Sequence, residues 1–489
     1  MNTASFLTDV PWHGSLFCNG RWQSAQGGNR DVIEPATGNK LGQCGIASAD
    51  DMRTAIGAAQ VAQRAWAATP PRERAAVLLR AAEQLQQHFD ELALAIARET
   101  GGIVPKGQHE VKEAVLLCQI AAGLPLRAQG EVLPSTAGRL SLAKRVPHGV
   151  VGVISPFNFP LILGIRSVAP ALALGNAVVL KPDPRTPVSG GVIMAEAFRR
   201  AGLPDGLLQV LPGDAEAGEV LVSDARVPMI AFTGSPTVGR RIGELAGRHL
   251  KKVSLELGGA NNLVVLDDAD LDAAASAVAF GAWFHQGQIC MASNRVLVHE
   301  AVAEGLKQRL VLKAQHLPVG DGASGQVALG PMIDARQLGR FDAMVQESIQ
   351  AGAKLEAGGS HEGLCYQPTV LSGVKPGMRT FDDEPFGPLV NLVTFGSDEE
   401  AVALANHSQG GLAAAVIGRD VARALAIGER LNAGMVHIND QTVNDECTNP
   451  FGGPGLGGNG SAVGGPADID EYTRWQWVTV RSVLPAFPF

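Results

Sequence analysis

The chain has 489 residues, 46% of them hydrophobic and 18% charged, and a net charge of −8. That is longer than one hydrophobic core serves, so two large domains are expected, with the composition of an ordinary soluble enzyme. No basic run stands out in this mildly acidic chain, which argues against nucleic acid as a partner.

In chain order, residues 1–50 read as short strands joined by turns, for example 15–22. Apolar residues then recur at helical spacing over 49–67 and 71–99. The segment 146–165 lacks Asp, Glu, Lys and Arg. Its Pro147, Pro156 and Pro160 disfavour a membrane-spanning helix, and it reads as a buried strand and turn. Strands at 150–155, 177–180, 208–211, 229–233 and 253–257 alternate with helices at 186–201, 214–222 and 236–250. This alternation predicts a parallel α/β sheet, which takes ligands at the carboxyl ends of its strands. A second alternation starts at 262: strands 262–266, 295–299, 389–394, 413–417 and 435–438, with helices 270–284, 301–312, 334–351, 398–406 and 421–431. The glycine-rich tract 452–465 reads as a loop and 475–480 as a terminal strand.

The six cysteines, at 18, 44, 118, 290, 365 and 447, form no CxxC and no zinc-like spacing with histidine. Neither a disulfide framework nor a metal site is expected. The first residues, MNTASFLTDVPWHG, lack the basic start and apolar core of a signal peptide. The expected compartment is therefore the reducing cytoplasm, with no membrane partner.

Several residues sit where a parallel sheet does chemistry. Gly234-Ser235 opens a predicted helix, so free N–H groups and the positive end of a helix dipole suit a diphosphate; the pair is also an ordinary helix start. Lys181 ends an apolar strand and is either a ligand for phosphate or ribose or a surface lysine. Glu256 ends another strand before two glycines, as a general base or a solvated charge. Cys290, in a Gly-Gln-Ile-Cys loop, is a nucleophile or an inert thiol.

Seven segments decide between these readings. They are SPFNFP (155–160), LGNAVVLKP (174–182), FTGSPTVG (232–239), LELGG (255–259), GQICMASNR (287–295), DEPFGP (383–388) and NPFGG (449–453). In this order and spacing they resemble the aldehyde dehydrogenase superfamily over nearly the whole chain. The resemblance implies that Cys290 attacks the aldehyde carbon and that the Asn158 amide and the Cys290 N–H hold the oxyanion. Glu256 would activate the water that hydrolyses the thioester. It also implies NAD as cofactor, with NADP also accepted, held by Ser155, Pro156, Lys181, Asp183, Pro184, Gly213, Gly234, Ser235, Leu257, Gly258, Glu384 and Phe386. The implied fold is a Rossmann-type cofactor domain (1–127 and 143–255), an α/β catalytic domain (256–466) and a small β oligomerisation module (128–142 and 467–489). A homodimer or homotetramer follows from that module.

The departures from the family pattern are specific. Lys181-Pro182-Asp183-Pro184 replaces the usual Lys-Pro-Ser-Glu, removing the glutamate that repels a 2′-phosphate, and Arg185 is then placed to attract one. Arg166 stands where many members have Trp, and Gly455 where a Lys commonly follows Pro-Phe-Gly-Gly. The segments HQGQICM (285–291), RSVAP (166–170) and QWVT (476–479) resemble benzaldehyde and related aromatic-aldehyde dehydrogenases. The substrate would then be an aromatic aldehyde, against Phe159, Ile162, Arg166, Ile289 and Met291, with Leu163 either beside them or in the core. The alternatives are an enzyme for aliphatic aldehydes or semialdehydes, a CoA-acylating relative, which generally lacks the base at the Glu256 position, and a non-catalytic relative.

Overall fold

The structure, a computed structural model, describes residues 5–407 and 410–489. Two seven-stranded sheets organise it. The first runs in the order Lys252–Leu257, Met229–Gly234, Val150–Ile154, Ala177–Lys181, Leu208–Val210, Ser15–Cys18, Arg21–Ser24. Its first five strands are parallel, and Ser15–Cys18 and Arg21–Ser24 close the far edge antiparallel. The parallel strands are apolar on both faces because helices cover both, as in any sheet built from crossovers. The second sheet runs Lys354–Ala357, Thr369–Ser372, Leu389–Phe395, Arg295–His299, Asn262–Val265, Gly411–Ile417, Ala433–Ile438, parallel except for its first pair.

Register explains why distant motifs meet. Ile154 pairs with Lys181 on one side and Phe232 on the other, and Thr233 and Gly234 pair with Glu256 and Leu257. The segments beginning at Ser155, Lys181, Gly234 and Leu257 therefore leave one sheet at one edge. The chain crosses there directly into the second sheet, whose strands begin at Asn262 and Arg295, paired side by side. The seam joins carboxyl ends of the first sheet to amino ends of the second.

A third sheet pairs Thr473–Arg481 with Arg139–Pro147, and that strand with Gly130–Val132, all antiparallel. Asn176 ties its root to the first sheet by donating from Nδ2 to the Tyr472 and Ala171 carbonyls, each at 3.0 Å. Among the described residues no helix is long and apolar enough to cross a membrane.

The elements differ from the sequence reading in several places, among them these four. The helix expected at 71–99 is two, Pro71–Gln87 and Phe89–Thr100, broken at His88 (φ −113°, ψ 24°). The strand and turn expected at 146–165 becomes strand Val150–Ile154 followed by helix Pro160–Ala173, with proline at its first position. That helix is buried on every side, so it has no polar face to mark its period. Helix Val104–Gly123 was not expected. The helix expected at 186–201 starts as a π turn, Val188–Val192, before Ile193–Arg200.

Helix Val104–Gly123 crosses Phe89–Thr100 at backbone contact. A Cβ on Gly107 would collide with the Ala93 carbonyl oxygen. Gly107→Ala is therefore expected to destabilise the fold by about 1–3 kcal/mol, as overpacking does, despite the better helix propensity of alanine. A lowered thermal unfolding midpoint checks this; an unchanged or raised midpoint would show that the two helices separate freely.

Candidate active site

Cys290 lies at the seam, on a loop with no regular structure of its own. Three successive residues before it, His285 (φ 47°), Gln286 (φ 56°) and Gly287 (φ 63°), are left-handed. Such a turn is costly for the two non-glycine residues and persists only where its surroundings hold it. At Gly287 a Cβ would collide with the Gly387 carbonyl, so only glycine fits. Buried amides hold the rest. Gln286 Nε2 donates to the Gly101 carbonyl (2.9 Å), and Gln288 Oε1 accepts from the Ile333 N–H (3.2 Å). Asn261, the last residue before strand Asn262–Val265, donates from Nδ2 to the Cys290 carbonyl at 2.6 Å and accepts the Ala413 N–H at 2.9 Å.

Asn158 reaches the same loop from the first sheet. Its Nδ2 donates to the Gln288 carbonyl at 2.8 Å, two residues before the nucleophile, and its second amide hydrogen is left free. Burial pushes the Cys290 thiol far above its ordinary range, and the carboxylates of Glu384, Asp445 and Glu256 push it the same way. The three acids and the thiol thus share one electrostatic neighbourhood.

Glu256 is buried on strand Lys252–Leu257, and neither of its oxygens has a hydrogen-bond partner. Burial raises its pKa well above the ordinary carboxylate value; Arg166 opposes that shift, and Glu471 and Asp445 add to it. Arg166 comes from the buried helix Pro160–Ala173. It pairs with Asp445 at 2.5 Å, stacks on Phe451 at 4.6 Å, and keeps Nε and Nη1 without partners. Burial works against its charge, but Asp445 outweighs it and holds the guanidinium protonated. Leu163, Arg166, Thr233, Ser254, Glu256 and Phe451 line a small cavity, with room for about one water molecule.

The other expected substrate residues are seated differently. Phe159, Ile162, Ile289 and Met291 are all buried in the core around the first sheet. Phe159 packs on His285 (5.2 Å, edge-on) and under the Lys106 ammonium (4.5 Å).

The expected cofactor residues gather along the same strand ends. Ser155 Oγ is buried without a partner, and among the described residues the Lys181 ammonium makes no hydrogen bond or ion pair. Burial lowers the Lys181 pKa, while Asp183 and Asp214 raise it. Ser235 caps helix Pro236–Arg248 with Oγ 3.5 Å from the Val238 N–H, leaving other first-turn donors open at an exposed end. Gly213 precedes helix Ala215–Ser223, and Pro156 and Gly234 are half-buried beside Ser155 and Ser235. The Glu384 carboxylate lies directly against Gly258, where any Cβ would collide with it; burial raises this acid to about 7. Leu257 is fixed by its N–H to the Gly457 carbonyl (3.0 Å). Phe386, itself left-handed (φ 54°), meets Phe157 edge-on at 5.8 Å. Free donors, one unpaired ammonium and a glycine cradle at a sheet's carboxyl edge fit a dinucleotide.

One expectation for this edge needs correction. Arg185 is not free to attract a 2′-phosphate. It binds both oxygens of Asp183 (2.9 and 2.7 Å), reaches Asp334 at 2.8 Å, and stacks on Phe157. Asp183 is correspondingly engaged, and Pro184 lies between the two.

Asn261, Gln286, Gln288, Lys106 and Glu110 escaped the sequence reading. Asn261 had a readable signal: an amide at the start of an apolar strand, directly after Gly258-Gly259-Ala260.

Comparison with known proteins agrees with this geometry. The aldehyde dehydrogenase family profile matches residues 22–478. A vanillin dehydrogenase of an Amycolatopsis species is 54% identical over 486 residues, spanning 99% of this chain and 100% of that protein. The NAD(+) benzaldehyde dehydrogenase of Pseudomonas putida is 50% identical, spanning 98% of each. Among solved structures, a salicylaldehyde dehydrogenase of Pseudomonas putida G7 complexed with salicylaldehyde superposes with a TM-score of 0.93 at 34% identity, over 97% of this chain and 99% of that one. With a thiol, an amide and an unpartnered carboxylate converging at the seam of two parallel sheets, the chain belongs to the aldehyde dehydrogenase family.

Proposed function

We propose that this enzyme oxidises an aromatic aldehyde to its carboxylic acid with NAD, accepting NADP as well, through an acyl group carried on Cys290. The observation that carries the mechanism is the convergence of Cys290, the Asn158 amide and the unpartnered Glu256 carboxylate at one buried seam.

Surrounded by acids, the Cys290 thiol holds its proton tightly, and the attacking species is the minor thiolate fraction, its proton passed to solvent. Glu256, with its pKa raised by burial, is suited to take a proton from the hydrolytic water and later release it. The thiolate sulfur bonds to the aldehyde carbon, and the carbonyl oxygen becomes an oxyanion. Asn158 Nδ2 and the Cys290 N–H are the donors that receive that charge. When bound, NAD supplies the oxidation by accepting hydride. The thioester carbonyl then takes up water as Glu256 removes its proton, the C–S bond breaks, and the acid leaves. The cavity beside Glu256, with polar groups from Arg166 and Ser254, has the size and lining to seat that water.

The dinucleotide would lie along Ser155, Pro156, Lys181, Gly213, Gly234, Ser235, Leu257 and Gly258, with Glu384 and Phe386 at its nicotinamide end. Pro184 offers no charge against a 2′-phosphate and Arg185 no attraction, which supports NAD as the main cofactor with relaxed exclusion of NADP. The aromatic substrate rests on the likeness to vanillin and benzaldehyde dehydrogenases and on Arg166, whose unpartnered N–H groups suit an oxygen substituent on a ring. We assign residues 1–127 and 143–255 to the cofactor domain, 256–466 to the catalytic domain, and 128–142 with 467–489 to oligomerisation. Strand Thr473–Arg481 lies at the edge of its sheet with Trp475 and Trp477 exposed, which supports a homodimer or homotetramer. The six free cysteines support a reducing, cytoplasmic location.

Glu256→Gln is expected to leave a burst of reduced cofactor while steady turnover falls by about 10²–10⁴-fold. In the unmodified enzyme, turnover limited by hydrolysis should decline on acidification at a pH above the usual carboxylate range, because the folded-state pKa is raised. Rapid mixing across pH reads both; normal steady turnover in the variant would remove Glu256 as the base.

A panel of benzaldehyde, hydroxylated benzaldehydes and C2 to C8 aliphatic aldehydes, run with NAD and NADP, tests the substrate. Aromatic aldehydes should exceed short aliphatic ones in kcat/KM by about tenfold or more, since burying a ring is worth roughly 1.5–3 kcal/mol. Arg166→Met should cost the hydroxylated aldehydes more than benzaldehyde. A preference for long aliphatic aldehydes would overturn the aromatic reading and leave the family intact.

A further inference from the structure

Beneath the Asn158 turn lies a buried ion pair that the mechanism does not use. Lys106 and Glu110 sit four residues apart on helix Val104–Gly123, both fully buried, with Nζ 2.5 Å from Oε1. The three donors of the ammonium are all engaged: Glu110, Thr100 Oγ1 (3.3 Å) and the Asn158 carbonyl (2.6 Å). The other Glu110 oxygen accepts the N–H groups of Leu161 (3.0 Å) and Ile162 (3.2 Å) in the first turn of helix Pro160–Ala173. The pair therefore grips the segment on both sides of Phe159 and Pro160, the lysine at residue 158 and the glutamate at residues 161 and 162. Lys106 also lies against the Phe159 ring, which packs on His285 of the strained turn before Cys290.

A buried ion pair is a poor way to gain stability, because desolvation offsets most of its attraction and apolar residues of similar size do as well. What this pair supplies is geometry. Asn158 is the residue whose backbone Lys106 holds and whose side chain reaches the Gln288 carbonyl, two residues before the nucleophile.

We propose that the Lys106–Glu110 pair is a positioning device for the oxyanion donor: it fixes the backbone from which the Asn158 amide reaches the nucleophile loop. Neither residue touches the reacting atoms; both act through Asn158. The proposal rests on the reading of Asn158 as oxyanion donor. Small displacements of such donors are costly to rate while leaving ground-state binding nearly intact.

The test is a double-mutant cycle on the full-length enzyme. Lys106→Met with Glu110→Gln removes both charges at once, so no lone ion is left buried. In the otherwise native enzyme kcat should fall by about tenfold or more, below the roughly 10²–10³-fold loss of an oxyanion donor outright. KM for benzaldehyde and the affinity for NAD, read by fluorescence titration, should change less than about threefold, as fits loss of an interaction made in the transition state. In an Asn158→Ala background the same paired change should lower kcat by less than about twofold, because residues acting through one group are not additive. An equal fall in both backgrounds, or no fall in the native one, would overturn the positioning role while leaving Asn158 as donor. Native turnover in Asn158→Ala alone would overturn the oxyanion reading and this inference with it. Should the paired variant not fold, Lys106→Gln with Glu110→Gln keeps an acceptor for the helix N–H groups and leaves no lone charge. It is expected to show the same dependence on background, and additivity there overturns the proposal equally.

Discussion

A strained loop has to be held still between two sheets. The approach to Cys290 runs through three left-handed residues, two of them not glycine, and left alone such a turn relaxes. It persists because amides tie it down: Asn158 grips the Gln288 carbonyl, Asn261 grips the Cys290 carbonyl, and the loop's own Gln286 side chain holds the Gly101 carbonyl. Each such bond contributes little on its own, but each is buried, so losing one strands a polar group without water. The sheets themselves serve this purpose. One delivers carboxyl ends and the other amino ends to a single seam, and the amides come from the residues just outside the strands.

The same burial sets the chemistry. Cys290 shares its neighbourhood with Glu384, Asp445 and Glu256, all of which disfavour a thiolate. The nearby fixed positive charge is Arg166, held by Asp445 and stacked on Phe451. With no hydrogen bond to either oxygen, Glu256 keeps a raised pKa and a free lone pair for a proton. A hydrogen-bonded carboxylate at this position would be a weaker base. Glycine makes this arrangement possible where the backbone must come close: Gly258 leaves room for the Glu384 carboxylate, and a Cβ on Gly452 would strike the Ser461 carbonyl.

Much of the fold was legible because buried parallel strands announce themselves as β-branched runs, and the chemistry-bearing residues stand at their ends. Ser155, Lys181, Gly234, Glu256 and Leu257 are found at one edge because register forces it. Helix Pro160–Ala173 was hidden because burial on all sides erases its period, and Pro160 and Pro170 read as turns. Lys106 and Glu110 were hidden for the opposite reason. Charged residues on a helix normally mark its wet face, yet these two share the buried face with Val111, Ala114 and Cys118. The i,i+4 spacing of Lys and Glu within an apolar face was the only trace. The engagement of Arg185 was only half legible, since Asp183 stands two residues away but Asp334 lies 149 residues away.

The central claim is that the acyl group is carried on Cys290 and released by Glu256. Its most direct test is to quench the Glu256→Gln enzyme during reaction with benzaldehyde and NAD and map the digested peptides by mass spectrometry. The account predicts a benzoyl group on the peptide that contains Cys290 and on none of the peptides carrying the other five cysteines. Benzoate formation with Cys290 never acylated, or acylation at another residue, would contradict it.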